Sequence, residues 1–352
     1  MKKSLLALAV LASFAGAASA QSSVTIYGVA DIGLQRVDSN ERGVDETWRL
    51  SSGNQSGSRI GFRGTEDLGG GLSALFTLEA GYSLDTGTGG STEGASTLFN
   101  RQAFVGLKGG FGTVAMGRQY SPMHLFLDSI DPFATNLSGN VENIFPAGSI
   151  INSRNNVDNS ITYTTPSFGG VTGQVLYGFG EEAGSTARSR QMGAHVGYVN
   201  GPINVGLAYH RANGGVNSST ALPAGTNDLA PGENANSFVL GGTYDFGVAK
   251  AHAAFGQHRV ELIGDEDEKA RTYMLGVSAP VGGAGRVLAS WVRGDDRNSD
   301  DQIDQYAIGY THGLSKRTNL YTSFGYTVDK DARSDGRDLK GTDFRVGVRH
   351  LF

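Results

Sequence analysis

There is no cysteine among the 352 residues. A disulfide framework and a thiolate metal site are therefore excluded, and an exported chain of this length must be held by backbone pairing and packing. Beyond residue 20 no stretch approaches about 18 consecutive apolar residues, so no helix of this sequence can span a bilayer. If the protein lies in a membrane, it lies there as strands. Positive charge is also short: 29 Lys and Arg stand against 34 Asp and Glu, a formal net charge of −5. Removing Lys2 and Lys3 with the leader described below takes −5 to −7. That balance argues against a nucleic-acid partner, because neutralising phosphates needs clustered cations. No H-E-x-x-H or G-x-S-x-G motif occurs, so neither a zinc-hydrolase nor a nucleophile-elbow signature is available, and no cofactor is called for.

Glycine, by contrast, is abundant: 53 residues, about twice the usual share, spread without the every-third-residue period of collagen. Sheets that bend and turn use glycine in this way. Lys2 and Lys3 precede an apolar stretch from Leu5 to Phe14, and Ala18-Ser19-Ala20 offers an A-x-A cleavage site. Residues 1–20 thus read as a secretory signal, too short to cross about 30 Å of hydrocarbon. No break in composition divides the remainder, so 21–352 reads as one domain.

Apolar residues recur at every second position. Ile26, Gly28, Ala30, Ile32 and Leu34 share one face, while Thr25, Tyr27, Asp31 and Gln35 share the other. In "FRVGVRHLF" the residues Phe344, Val346, Val348, His350 and Phe352 alternate with Arg345, Gly347 and Arg349. About sixteen such segments fall near 24–37, 57–67, 71–84, 98–109, 111–120, 157–166, 170–180, 190–200, 203–212, 235–246, 248–259, 268–280, 284–295, 301–314, 317–329 and 341–352, each near the roughly ten residues a tilted membrane strand needs. Tight connections ("DLGGG", "KGGF", "VNGP", "DFGVA") take turns with long polar ones near 38–56, 85–97, 121–156, 213–234 and 330–340. Short turns on one side and long loops on the other characterise outer-membrane barrels. A soluble sandwich would not sort its connections by length so regularly.

The segments "VTIYGVADIGL", "SRIGFRGTEDLGGGLSALFTLEAGYSLDTG", "FNRQAFVGLKGGFGTVAMGRQYSP", "NSITYTTPSFGGVTGQVLYGFGE", "YTHGLSKRTNLYTSFGYT" and the ending "FRVGVRHLF" resemble the general diffusion porins of Gram-negative bacteria, particularly the betaproteobacterial and neisserial type. The resemblance implies an all-β fold, a sixteen-stranded antiparallel transmembrane barrel whose third extracellular loop folds inward. It implies a homotrimer in the outer membrane that passes ions and small hydrophilic solutes and is not an enzyme. Outer-membrane lipid and lipopolysaccharide are its surroundings. Phe352 matches the terminal aromatic that serves such barrels as the signal to the barrel-assembly machinery.

In that family, arginines on the barrel wall face acids on the inward loop. Arg59 in "SRIGF", Arg101 in "NRQAFVGL" and Arg154 in "SRNNVDNSI" match the wall positions. Parity sets Arg59 against Ile60 and Phe62, and Arg101 against Gln102, Phe104 and Gly106, so that both arginines point into the lumen while those neighbours face outward. Arg63 and Arg118 are further lumen candidates. For the opposite wall, "HLFLDSIDPFATN" combines Asp128 and Asp131 with Leu125, Phe126, Leu127, Ile130 and Phe133, a composition suited to a loop packed inside a barrel. "DPF" departs from the "PEF" order of some enteric porins, which leaves open which aspartate lines the constriction. Glu79, on a polar strand face, is a further lumen acid. Arginines opposite carboxylates set up a transverse field. With a Debye length of about 8 Å the acidic outer loops are partly screened from the narrowest point, so the arginine cluster gives a weak expected preference for anions.

"GFGEEA" at 178–183 fits G-x-G-x-x-A formally but opens no apolar helical face. "DRNSDD" at 296–301 lacks the glycine and the bidentate Glu of a calcium loop. "DEDEK" at 265–269 reads as a solvated face, with divalent-ion or lipopolysaccharide contact as the alternative. Two other classes stay open on sequence: an adhesin or structural barrel with a filled lumen, which conductance would separate, and an outer-membrane barrel enzyme, which a hydrolysis assay would separate.

Overall fold

Period-two alternation becomes antiparallel ladder. The computed structural model describes residues 23–39, 45–92, 95–145, 155–215, 229–330 and 338–352; the leader expected at 1–20 and Arg154 lie outside these residues. The strands are β1 (Ser23–Asp38), β2 in two halves (Thr47–Ser52 and Arg59–Gly69), β3 (Leu72–Gly81), β4 (Gln102–Gly109), β5 (Gly112–Tyr120), β6 (Asn156–Thr164), β7 (Val171–Gly178) and β8 (Gln191–Asn200). They continue as β9 (Ile203–Asn213), β10 (Asn234–Asp245), β11 (Lys250–Glu261), β12 (Glu268–Val281), β13 (Gly285–Asp296), β14 (Gln302–Gly313), β15 (Thr318–Asp329) and β16 (Leu339–Leu351). Each pairs antiparallel with its neighbours in the sequence, and β16 returns to β1 with Val29 opposite Leu351. Of 17 paired segments two are halves of one strand, which makes a closed barrel of sixteen strands. Closure leaves no edge, the condition for placing strands in hydrocarbon.

The two faces differ as the alternation requires. Ile26 and Leu34 are 62 % and 50 % exposed on the outside, whereas Asp31 and Gln35 are buried within. The tight turns gather at one end with the chain terminus. At "DLGGG" the three glycines Gly69, Gly70 and Gly71 all have positive φ, a backbone turn that side chains resist.

The second strand differs from expectation. Residues 47–52, read as part of loop 38–56, pair with the upper half of β1, with Leu34 opposite Leu50. Between the halves of β2 the chain leaves the ladder over residues 53–58, and Asp31 holds it there. One Asp31 oxygen accepts the backbone N–H groups of Gln55 (2.9 Å) and Ser56 (2.7 Å), and the other accepts the Tyr321 hydroxyl (2.6 Å). A buried carboxylate with three donors is a satisfied one.

The interior is filled from one side. After β5 the chain turns inward as helix α1 (Pro122–Ile130), a local element that the strand period does not announce. The Ser121 hydroxyl oxygen accepts from the His124 N–H at 3.1 Å, Pro122 occupies the first turn, and the Asp131 N–H closes the end on the Leu127 carbonyl. Met123, Phe126, Leu127 and Ile130 form one buried face, which packs on Ala208, Val239, Ala254 and Met274 of the wall together with Val141, Ile144 and Phe145. A second cluster joins Phe133 and Leu137 to Leu288, Ala307 and Tyr321.

What lets the loop lie so close is glycine. Added Cβ atoms at Gly193, Gly206, Gly241 and Gly256 would sit 2.9 Å from Pro122, 2.8 Å from Phe126, 2.6 Å from Ile130 and 3.1 Å from Phe145. Those at Gly276, Gly294, Gly309 and Gly325 would sit 2.7 Å from Pro132, 3.1 Å from Ile144, 2.8 Å from Phe133 and 2.8 Å from Ser138. One glycine from each of β8 to β15 thus lays a continuous track beneath the loop. Much of the glycine excess serves this inner wall as well as the turns.

Candidate pore constriction

With the loop docked on β8 to β15, the free lumen lies between it and the inward face of β16 and β1 to β7. Residues of β1, β2 and β3 that share that face are Tyr27, Arg59 and Glu79, and they meet. The Glu79 carboxylate is 2.7 Å from Arg101 Nε on one oxygen and 3.4 Å from Arg59 Nε on the other, and it accepts the Tyr27 hydroxyl at 3.0 Å. Glu79 is buried; the two guanidinium groups keep about a quarter of their surface exposed. Arg59 donates to the Gly57 carbonyl at 3.1 Å, and Arg101 donates to the Tyr120 hydroxyl and lies 5.8 Å from that ring's centre. Each arginine is thereby held by several groups, and one carboxylate serves two cations.

Arg101 reaches this place by a route that parity did not foresee. Ala103, Val105 and Leu107 are the outward residues of β4, with Val105 60 % exposed, while Gln102 pairs with Glu79 and Phe104 with Thr77 on the inward side. Gln102 and Phe104 therefore face the lumen and not the lipid. Arg101 belongs to the turn before the strand, and its N–H is bonded to the Glu79 carbonyl at 3.2 Å, so strand alternation does not govern its direction.

Arg63 pairs with Thr25 and Thr77 on the inward face and lies 5.1 Å over the Tyr27 ring, with no carboxylate partner among the described residues. Arg118 differs from expectation. It stands opposite Ala103 on the outward set, in step with Val114 and Met116 of β5, bound to Asp158 and to the Asn100 carbonyl at 2.7 Å. The two loop aspartates also part. Asp128 is exposed on α1 and accepts the Thr135 hydroxyl at 3.2 Å. Asp131 is buried and accepts the N–H groups of Phe133 (3.0 Å), Thr135 (2.9 Å) and Val141 (3.2 Å), which folds the loop upon itself. Burial pushes its carboxyl up to about 7, the three N–H donors pull the other way, and Glu142 adds a further upward push.

The wall holds further inward cations. Arg349 stands opposite Asp31 on the ladder and donates to Asn319 at 3.0 Å, Arg345 is paired with Asp343 at 2.6 Å, and Arg49 donates to Gln35 at 2.9 Å. Alternation had put Arg345 and Arg349 on the wet face; it carried no sign that they extend the Arg59–Arg101 group. Phe352 exchanges both backbone hydrogen bonds with Gly28, at 3.0 and 3.1 Å, so the last residue completes the closing ladder.

Known proteins share this whole architecture. The profile of the Gram-negative porin family matches residues 7–332. Outer membrane porin protein 32 of Delftia acidovorans is 38 % identical, and the major outer membrane protein P.IB of Neisseria gonorrhoeae is 30 % identical, each over the full length of both chains. Among solved structures, an anion-selective porin from Comamonas acidovorans has a TM-score of 0.80 at 32 % identity, covering 94 % of this chain and 100 % of its own. A trimer form of OmpT of Vibrio cholerae, at 16 % identity, covers 94 % of this chain and 99 % of its own with a TM-score of 0.70, which speaks to the fold. A closed sixteen-stranded barrel, a loop folded into its lumen and this likeness from end to end make the chain a member of the Gram-negative porin family, a channel of the outer membrane and not an enzyme.

Proposed function

We propose that the channel passes small hydrophilic solutes with a weak preference for anions. The observation that carries this is the sharing of one carboxylate, Glu79, by Arg59 and Arg101. The local charge there is positive, and Arg63 and Arg49 add inward cations with no acidic partner among the described residues. Asp128, exposed on α1, supplies the negative side of the transverse field, and Asp131 is spent inside the loop. The relative from Comamonas acidovorans, named as anion-selective, supports the same sign. Arg154 stays a candidate for the same wall.

The chain functions as a homotrimer, a reading supported by the trimer among its structural neighbours. Residues 1–20 direct export, residues 21–352 form the barrel, and Phe352 presents the chain to the assembly machinery. The decisive experiment is the zero-current potential of single channels in a tenfold gradient of potassium chloride. A potential of the sign set by chloride is expected; one set by potassium overturns the anion reading.

A further inference from the structure

Between the constriction and the tight-turn end, the lumen wall changes character. The ladder sets Thr25, Arg63, Thr77 and Phe104 side by side on the inward faces of β1 to β4. This row lies two residues, about 7 Å, below Tyr27 and Glu79. Leu75 of β3 stands in the next inward row down. From the loop, Leu125 of α1 is 42 % exposed, although Phe126 and Leu127 beside it are buried against the wall. Three apolar side chains therefore meet water inside the channel. The passage of ions gives them no task, and apolar surface held in water favours the arrival of an apolar solute.

These side chains border two adjoining hollows that share Leu75. One, of about 390 Å³, is lined by Arg63 with the hydroxyls of Ser23, Thr25, Thr65 and Thr77. The other, of about 250 Å³, runs from Tyr120 and Gln102 past Phe104 and Leu125 to Thr162. Its floor is low because Gly106 and Ala115, opposite each other on β4 and β5, raise no large side chain. The first hollow holds a guanidinium without a carboxylate partner among the described residues, flanked by hydroxyls of its own row, an arrangement suited to one carboxylate. The second holds an unanswered polar group: Thr162 of β6 is 4 % exposed, and its hydroxyl has no protein hydrogen-bond partner. A buried hydroxyl in that state gains from a solute that bonds to it. Arg63 on β2 and Thr162 on β6 are four strand spacings apart, about 19 Å along the curved wall. The arginine's inward reach narrows that gap, so a solute that touches both is elongated.

We infer that this stretch of wall is a subsite for elongated aromatic carboxylates that bear a hydroxyl at the far end. The carboxylate lies on Arg63 with Thr25 and Thr77, the ring lies on the shelf of Leu75, Phe104 and Leu125, and the hydroxyl meets Thr162. The inference rests on the anion reading above and names a solute class for it. Preference for an aromatic body and preference for anions are then separate properties of the channel. The first belongs to the shelf, the second to the arginines around Glu79.

The test is block of single-channel potassium chloride current by 4-hydroxycinnamate, cinnamate, acetate and the uncharged 4-hydroxycinnamyl alcohol, each added on the tight-turn side. Wild type should be half-blocked by 4-hydroxycinnamate at a concentration at least about tenfold below that of acetate. Phe104→Ser and Leu75→Ser should remove most of that difference, whereas Phe104→Leu, which keeps the shelf apolar, should retain it. Arg63→Gln should weaken block by both aromatic acids and leave block by the alcohol unchanged. Thr162→Val should erase the preference for 4-hydroxycinnamate over cinnamate. The zero-current potential in a potassium chloride gradient should be the same in Phe104→Ser as in wild type. A wild-type potential set by potassium, beside a block that Phe104→Ser removes, would overturn the anion reading and uphold the subsite. A potential set by chloride, beside aromatic acids that block no better than acetate, would overturn the subsite and leave the anion reading in place. Undiminished aromatic preference in both serine variants overturns the subsite equally.

Discussion

The Cδ1 of Ile130 rests over the bare Cα of Gly241, so close that a Cβ on residue 241 would lie 2.6 Å away. The contact fixes the end of α1 against the barrel wall, where His252 also donates from Nδ1 to the Ile130 carbonyl at 2.7 Å. Overpacking a filled interior costs about 1–3 kcal/mol. Gly241→Leu should therefore lower the thermal midpoint of the oligomer and make single-channel current noisier as the loop loses its seat. A midpoint and a current trace equal to wild type would show that the loop does not depend on this contact.

Charge reversal at the shared carboxylate site should change selectivity. Arg101→Glu and Arg59→Glu each alter the local charge by two units, and the zero-current potential should move towards cations in both, with the double variant moving further. Glu79→Gln should move it towards anions. Arg36→Glu is the exterior comparison, since Arg36 pairs with Glu46 and Asp38 near the rim; screening over about 8 Å should leave its effect small. Equal shifts at Arg36 and Arg101 would remove the arginine wall as the source of selectivity.

Asp131 gives the loop a pH dependence of known sign. Its carboxyl, ordinarily near 3.8, is raised to about 7 by burial. Between those values the folded loop keeps a proton that the unfolded chain has released, so this group's contribution to stability falls as pH rises through the window. Thermal midpoints measured from pH 4 to pH 8 should decline less steeply in Asp131→Asn than in wild type. Parallel curves would assign the pH dependence to other groups.

Deleting Phe352 removes the two hydrogen bonds by which the last residue meets Gly28, a loss of about 1–3 kcal/mol from the closing seam. Inserted, heat-modifiable barrel should fall and misfolded periplasmic chain should rise. A deletion that inserts at wild-type yield would separate Phe352 from assembly.

The barrel was legible because its signal is local. Side chains alternate across a strand whatever it pairs with, so Ile26, Asp31, Leu34 and Gln35 announced their sides without knowledge of their neighbours, and turn residues such as "DLGGG" marked where each strand must reverse. The position of Arg59 and Glu79 on inward faces followed by the same rule. Arg118 keeps the outward parity of Val114 and Met116 on β5, so alternation along that strand itself sets it outside, against the lumen reading. Other features depend on contacts between distant residues and could not be read off one strand. Arg101 sits in a turn, where alternation has no meaning, and it faces the lumen because its backbone is tied to Glu79. Asp31 breaks β2 by capturing Gln55 and Ser56, a capture that also needs Tyr321, 290 residues away. Asp128 and Asp131, three residues apart and chemically alike, have opposite fates: one turn of helix exposes the first, and the loop's return at Val141 encloses the second. The sequence by itself determined a closed barrel with a wet inside and a greasy outside; which of its charges meet in the narrow part was decided by the packing of a loop on a track of glycines, since only a folded barrel brings eight of them into line.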